Sequence, residues 1–400
     1  MGELERGNGF DHEPRTRVVF GAGVAARLGK LAAGLGARRV LLVTDPGVVR
    51  AGHAGRLEAS LRASVGIVEC FTGVRENPDT ACVDACLQVA RSLRPDLLVG
   101  LGGGSAMDTA KGCNFLLTNG GEMRDYWGVG KATRPMLPLI AVPTTAGTGS
   151  ECQSAALIAD AQTHQKMACL DPKATARIAL LDPELTLSQP PAVTAGTGID
   201  ALAHAVETAV TRGRNPVSLL YSHAAFRRLV TAFPAVLRDP GDVEARGQML
   251  LGAAWAGMAI ENSMLGAAHA AANPLTARCG VVHGLAVGSM LPHVIRFNAV
   301  DPEASRAYAE LAGVAGIAGP VDTPAEALEA LVRRIEALLE VAGLPRSLGA
   351  FGVAASMVPR LAEEAARQWT AGFNPRALTM EDFAALYRQA LSEPAAAGAA

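Results

Sequence analysis

Asp96-Leu97-Leu98-Val99-Gly100-Leu101 runs straight into Gly102-Gly103-Gly104-Ser105, and the chain from Ala106 to Leu116 continues at helical spacing. An unbroken apolar run of this length, closed by glycines, reads as a strand buried on both faces, which is the environment of a parallel sheet. A glycine turn between a strand and a helix start turns backbone N–H groups and the positive end of the helix dipole toward a phosphate, and lacks Cβ atoms that would block close approach. The same turn can also close a tight corner that binds nothing, so the neighbouring segments must decide.

Outward from this segment, the stretches 39–44, 66–71, 137–142 and 177–181 read as further strands, and 80–93 has helical spacing after the turn signal Glu76-Asn77-Pro78-Asp79. Strands alternating with helices predict a parallel, Rossmann-like sheet covered on both faces. Past Pro190-Pro191 the strand signal stops. Helical windows follow at 195–212, 215–237, 243–262, 264–278, 284–298, 302–315, 324–342, 354–369 and 380–392, the last opening on the capping-box pattern Thr379-Met-Glu-Asp382. The expected organisation is a dinucleotide-binding α/β domain over 16–190 and an all-α domain over 191–392, with flexible ends at 1–15 and 393–400.

The chain has 400 residues, of which 50% are hydrophobic and 18% charged, against about 25% charged in a typical soluble chain. That balance excludes global disorder and predicts a large buried interior, with a homodimer or larger homo-oligomer as the assembly. A net charge of −2 provides no basic field for nucleic acid. No segment reaches the roughly 18 apolar residues of a membrane span, and the polar first residues read as no secretion signal. Seven scattered cysteines suggest reduced thiols in a cytoplasmic protein.

A second loop strengthens the nucleotide reading. The strand at 137–142 leads into Pro143-Thr-Thr-Ala-Gly-Thr-Gly-Ser-Glu151, and two loops at the C-terminal ends of neighbouring parallel strands form the usual ligand crevice of an open sheet. Asp45 ends another strand. It is either a helix cap or an acceptor for ribose hydroxyls that repels a 2′-phosphate, which favours NAD over NADP.

In the helical half, Gly198-Ile-Asp200-Ala-Leu-Ala-His204 sets a carboxylate and an imidazole at i and i+4 on one helix face. Burying that pair on an apolar helix is costly without a partner. His269, in Gly266-Ala-Ala-His-Ala-Ala-Ala-Asn273, and His283, in Val281-Val-His-Gly284, also sit in apolar surroundings. Three imidazoles with one carboxylate suit Fe²⁺ or Zn²⁺ and suit Mg²⁺ or Ca²⁺ poorly. His293 reads as structural.

Together, Gly102-Gly-Gly-Ser-Ala-Met-Asp-Thr-Ala-Lys111, Pro143 to Glu151, Asp182-Pro-Glu-Leu-Thr186, Gly198 to His204, His269, His283-Gly and Asn374-Pro375-Arg376 resemble the iron-containing (group III) alcohol dehydrogenases, in the family's order from about residue 16 to about 392. The resemblance implies an NAD(P)-binding α/β domain followed by a helical metal domain, the dehydroquinate synthase-like architecture. It implies Asp200, His204, His269 and His283 as metal ligands. It implies pyrophosphate contacts at Gly102, Gly103, Gly104 and Ser105, and a second cofactor loop at Thr144, Thr145 and Thr148. Lys166 and Leu185 match positions lining the cofactor, Asp108 starts the helix facing it, and Asp45 matches the NAD-preferring position. The implied activity is hydride transfer between NAD(H) and a small alcohol/aldehyde pair, with His283 and the substrate-facing residue 273 in the catalytic set. Many members carry a second histidine at that position; Asn273 can orient a substrate oxygen but has no proton to relay near neutrality.

Two related chemistries are alternatives. A dehydroquinate synthase-like lyase acts on an anion and calls for several Lys or Arg near the ligands, yet 195–210 and 264–290 contain only Arg278. A metal-independent maleylacetate-reductase-like enzyme has no use for the intact ligand set. A catalytically inactive nucleotide-binding scaffold is the reading from a different class.

Overall fold

Side-chain alternation builds the first layer. Leu41, Val43 and Leu98 enter one apolar cluster with Val83, Cys86 and Met107, whereas Val40, Leu42, Leu97 and Val99 enter a second with Leu28, Leu57 and Leu61. A strand with both faces buried in this way must lie at the centre of a sheet. The computed structural model describes residues 10–163, 165–345 and 347–392. The 393–400 tail, His164 and the first nine residues of the 1–15 segment lie outside the described residues. The chain forms two compact units. One is Glu13–Gln189; the other runs from Pro190 onward and includes residues 10–12. Within the latter, His12 hydrogen-bonds Asn262 at 3.3 Å.

The strands of the first unit are β1 (Arg17–Phe20), β2 (Arg39–Val43), β3 (Ile67–Phe71), β4 (Leu97–Gly102), β5 (Gly128–Val129), β6 (Leu139–Pro143), β7 (Ala155–Ala159), β8 (Lys166–Leu170) and β9 (Ile178–Leu181). Its helices are α1 (Leu28–Gly34), α2 (Pro46–Arg50), α3 (His53–Arg62), α4 (Thr80–Leu93) and α5 (Gly104–Asn119). Six strands form a sheet in the order β1-β9-β6-β4-β2-β3, and every pairing in it is parallel. From β2 the chain passes outward to β3, then returns to lay β4 on β2's other edge. The switch point of the sheet therefore lies between β2 and β4, where a ligand crevice opens at strand C-termini.

The sequence reading missed β1 and a second sheet of order β5-β8-β7. In that sheet β7 and β8 pair antiparallel, Ala155 opposite Leu170, and β5 adds parallel to β8. A purely parallel reading is corrected to this extent.

The second unit consists of α6 (Pro191–Thr208), α7 (Pro216–Arg238), α8 (Val243–Ser263), α9 (Ala267–Cys279), α10 (His283–Asn298), α11 (Pro302–Val314), α12 (Pro324–Val341), α13 (Val358–Ala366) and α14 (Met380–Leu391). Local chemistry sets their starts. Asn215, Asp301 and Thr323 cap helices whose first residue is proline, the arrangement that suits a first turn. Thr379 and Asp382 exchange the reciprocal bonds of a capping box. The 354–369 window is shorter than expected as an α-helix, because short 3₁₀ turns flank α13 on both sides.

Two backbone features bear on the site. Met264, between α8 and α9, has φ +83° and ψ 174°, a region a side chain enters only under strain. At Gly284 a Cβ would lie 1.9 Å from the carbonyl oxygen of Gly196, so α6 and α10 cross backbone to backbone.

Candidate metal centre and nucleotide loops

Asp200, His204 and Glu207 fall at positions i, i+4 and i+7 of α6 and so share one face. All three are buried, as is His269. The Asp200 Oδ1 atom is the focus. His269 Nε2 lies 3.3 Å from it, His204 Nε2 3.4 Å and His283 Nε2 3.8 Å. The His204 and His269 rings stack at 4.8 Å between centroids, and His283 is tilted against His269 at 5.5 Å. The ring Nδ1 of His269 is hydrogen-bonded to Glu207 Oε2, while Glu207 Oε1 accepts the Ala268 N–H at 2.7 Å. A carboxylate only accepts, so the His269 ring donates from both nitrogens, Nδ1–H to Glu207 and Nε2–H to Asp200.

Burial opposes charge on both partners, and the cluster overrides it. Desolvation would raise the Asp200 pKa, but the imidazoles of His204, His269 and His283 hold its carboxyl well below the usual carboxylate range. Desolvation would likewise lower the His269 pKa, but Glu207 and Asp200 push it up to about 9. A buried, strongly anionic focus surrounded by ring nitrogens is what a small multivalent cation satisfies. Asp200, His269 and His283 can each offer an atom within 4.8 Å of the others. The nitrogen-rich donor set fits a borderline transition ion, and Glu207 stands where an outer carboxylate would steady His269 toward one. His283 is the most exposed of the four, its side chain 31% accessible against 5% for His269, so the cluster opens on its side. Arg278, the one basic residue of the ligand stretches, is tied to Glu364.

Asn273 lies one turn beyond His269 on α9, and its Nδ2 donates to Gln368 Oε1 at 3.0 Å.

In the first unit, three strand ends converge. Gly102, at φ +148°, has the Asp45 Oδ2 atom 3.1 Å from where a Cβ would stand. A Cβ on Gly103 would meet Thr145 Oγ1 at 3.3 Å, and one on Gly104 would meet Thr148 at 3.0 Å. The Thr144 N–H bonds the Gly102 carbonyl at 2.9 Å. No side chain caps the start of α5 at Gly103, so Gly104 and Ser105 begin a helix whose first N–H groups suit an anion. The uncapped N–H groups of this turn, with the Thr145 and Thr148 hydroxyls beside it, are chemistry that fits a dinucleotide phosphate. Asp45 is a helix cap here: its Oδ1 caps α2 through Gly47 and Val48, while Oδ2 lies on the Gly102 side.

Two of the expected cofactor positions are buried. Leu185 is fully buried in the apolar cluster with Val142 and Leu180, so it packs the core and presents no surface to a ligand. Asp108 also faces inward, accepting the Ser150 hydroxyl at 3.1 Å. Burial raises its pKa to about 6, against the pull of Lys111 and Lys166, and raises that of buried Glu151 to about 7. Lys166 is exposed at the start of β8.

Sequence reasoning missed Glu207, Lys111 and Gln368. Glu207 was legible as the next member of the Asp200–His204 face. Lys111 has no accessible surface, and its Nζ donates to the carbonyls of Ser150, Gln153 and Ala155 at 2.7, 2.7 and 2.9 Å. It anchors the threonine loop from beneath. No local signal marks Gln368, which reaches Asn273 from 95 residues away.

Comparison with known proteins gives a consistent picture. The profile of the family described as iron-containing alcohol dehydrogenase matches residues 14–183, and that of the C-terminal part of the Fe-containing alcohol dehydrogenase family matches 194–391. Alcohol dehydrogenase 4 of Schizosaccharomyces pombe is 36% identical over 93% of this chain and 87% of its own length. The NAD-dependent methanol dehydrogenase of Bacillus methanolicus is 32% identical over 93% and 97%. The crystal structure of a 1,3-propanediol oxidoreductase superposes with a TM-score of 0.91 at 32% identity, covering 94% of this chain and 98% of that one.

Proposed function

The chain belongs to the iron-containing alcohol dehydrogenase family, and on that premise we propose that it transfers a hydride between NAD(H) and a small alcohol/aldehyde pair, with Fe²⁺ as its ion and Zn²⁺ as the alternative. Metal-dependent oxidation of alcohols and reduction of aldehydes is the activity of the family. In this reading the unit Glu13–Gln189 holds NAD and the helical unit holds the metal and the substrate. NAD dependence is supported by Asp45 beside Gly102 and by the NAD-dependent relative. The observation that carries the reading is the convergence of three imidazoles on the buried Asp200 carboxylate.

Asp200, His204, His269 and His283 would hold the ion, which when bound supplies a Lewis acid for the substrate oxygen; the nicotinamide supplies the hydride chemistry. The remaining steps belong to the chain. Glu207 fixes the His269 ring, and the buried alanines of α9, Ala267, Ala268 and Ala270 to Ala272, keep water from its helix face. Gly102, Gly103, Gly104, Ser105, Thr144, Thr145 and Thr148 would bind the pyrophosphate, and Asp45 would accept from ribose hydroxyls while repelling a 2′-phosphate. Asn273 would orient the substrate but moves no proton. Seven free cysteines among the described residues support a reducing, cytoplasmic setting, and the apolar composition supports a homo-oligomer.

The test is a chelator-stripped preparation reloaded with Fe²⁺ or Zn²⁺ and supplied with NAD or NADP and a panel of short alcohols, diols and aldehydes. NADH absorbance should change with one of these substrates only after reloading. No turnover with any of them, under either metal and either cofactor, would overturn the reading.

A further inference from the structure

We propose that Asn374 is a positioning residue for the metal centre: from the C-terminal segment it completes the cap of α9 and so fixes where His269 stands. The proposal rests on the metal reading above. The N-cap residue of α9 is Gly266, which has no side chain to accept from the first free N–H groups. Two distant side chains accept instead. Asn374 Oδ1 takes the Ala267 N–H at 3.3 Å, and Glu207 Oε1 takes the Ala268 N–H at 2.7 Å. The glycine makes room for both, because a Cβ at position 266 would stand 3.1 Å from Asn374 Oδ1 and 3.2 Å from Glu207 Oε1. His269 is the next residue after this double cap.

A buried network keeps Asn374 turned toward α9. An N–H only donates, so the Asn374 oxygen faces Ala267 and its amide nitrogen faces away. That nitrogen donates to Asn298 Oδ1 and to the Arg376 carbonyl, each at 2.7 Å, and Asn298 Nδ2 donates back to Asn374 Oδ1 at 3.1 Å. Asn298 Nδ2 also donates to the Tyr308 hydroxyl at 3.1 Å. Both donors and both lone pairs of the Asn374 carboxamide are engaged. Asn298, Tyr308 and Asn374 are each at most 2% exposed, and a buried polar network with its members satisfied holds one arrangement. Asn298 closes α10, the helix that His283 opens, so one carboxamide ties together two histidine-bearing helices. Arg376 fastens the same segment differently. Its Nη1 donates to the Phe297 carbonyl at 2.9 Å, and its guanidinium lies 3.9 Å over the Phe297 ring. The Asn374-Pro375-Arg376 motif therefore divides into one side chain that reaches α9 and one that holds the end of α10.

The experiment measures Zn²⁺ and Co²⁺ affinity by competition against a chromophoric chelator in wild type, Asn374→Ala, Gly266→Ala and Arg376→Met, with helical circular dichroism and denaturant midpoints on each. Asn374→Ala removes the acceptor. Gly266→Ala keeps every hydrogen-bonding group and crowds the two acceptors. Both should weaken ion binding by about tenfold or more, the usual scale for loss of an outer support of a ligating histidine. Both should also change the intensity of the visible bands of the Co²⁺ form, which follows ligand geometry. Arg376→Met should lower the denaturant midpoint while keeping wild-type affinity and spectrum. Wild-type affinity in a folded Asn374→Ala, or an equal loss of affinity in Arg376→Met, overturns the proposal and leaves the metal reading intact. If Asn374→Ala does not fold, Gly266→Ala decides by the same criterion. If the wild type binds neither ion, the metal reading falls and the proposal falls with it.

Discussion

Glu207 holds His269 from the side opposite Asp200: one carboxylate oxygen takes the ring Nδ1–H, and the other takes the backbone N–H of Ala268, at 2.7 Å. A single side chain therefore fixes the ring and the peptide that precedes it. Nε2 is thereby aimed at the Asp200 focus, and an arriving ion would have to displace the proton it carries there.

Replacing Glu207 with Gln keeps the volume but weakens that grip. Metal affinity should fall by about 10- to 100-fold, the usual effect of removing an outer-sphere carboxylate from a ligating histidine, with the helical circular dichroism unchanged. His269→Ala should lose the ion altogether while keeping the fold. Competition against a chromophoric chelator measures both, and wild-type affinity in Glu207→Gln would remove that residue from the metal's support.

Asp45 should make NAD the preferred cofactor, because its free Oδ2 faces the glycine turn where an adenosine ribose would lie close to the pyrophosphate. Asp45→Gly should narrow the NAD over NADP ratio of kcat/KM. The same change removes the cap of α2, which should destabilise the protein by a few tenths of a kcal/mol. Equal use of both cofactors by the wild type would refute the assignment.

Asp108 and Glu151 tie stability to pH. Burial raises their pKa values to about 6 and about 7, above the ordinary carboxylate range, so the folded protein binds protons that the unfolded chain releases. Their contribution is fully present below about pH 4 and is lost as pH climbs to about 7, after which it levels off, with each group worth on the order of 3 kcal/mol at most. Asp108→Asn and Glu151→Gln mimic the protonated forms. Denaturant midpoints should decline less between about pH 5 and pH 8 in these variants than in wild type. A decline of wild-type size in both would show that neither carboxyl is neutral in the folded state.

Met264→Gly should stabilise the protein. The strain of a side chain at φ +83° is on the order of 1–3 kcal/mol, and glycine removes it while adding up to about 1 kcal/mol of unfolded-state entropy. A midpoint shift to higher denaturant at unchanged slope is the expected result. A shift to lower denaturant would mean that the packing of the thioether outweighs the strain.

The helical half was legible because its boundaries are chemical. Asn215-Pro216, Asp301-Pro302, Thr323-Pro324 and Thr379 mark helix starts in one-dimensional text as clearly as in three. The strands β2, β4 and β6 were equally legible, since burial on both faces leaves no polar interruption. By contrast β7 and β8, Ala-Ala-Leu-Ile-Ala and Lys-Met-Ala-Cys-Leu, are alanine-rich and half-buried, and their identity comes from pairing with each other. The cluster of Asp200 with three histidines could be read from spacing within α6 and from isolated histidines on apolar stretches. Gln368 could not, because its role depends on a turn after α13 meeting α9, and no local pattern encodes that meeting.

The backbone contact of Gly284 with Gly196 gives the centre a fixed caliper. His283 opens α10 one residue before Gly284, and Asp200 lies one helical turn after Gly196 on α6, so the gap between these two residues is set by two main chains already at their closest approach. Side-chain length is then not adjustable. A glutamate at position 200 would carry its carboxylate one methylene too far, with no slack in either helix to absorb the excess. An alanine at position 284 would act on the Asp200–His283 spacing without touching either residue, by wedging α6 and α10 apart.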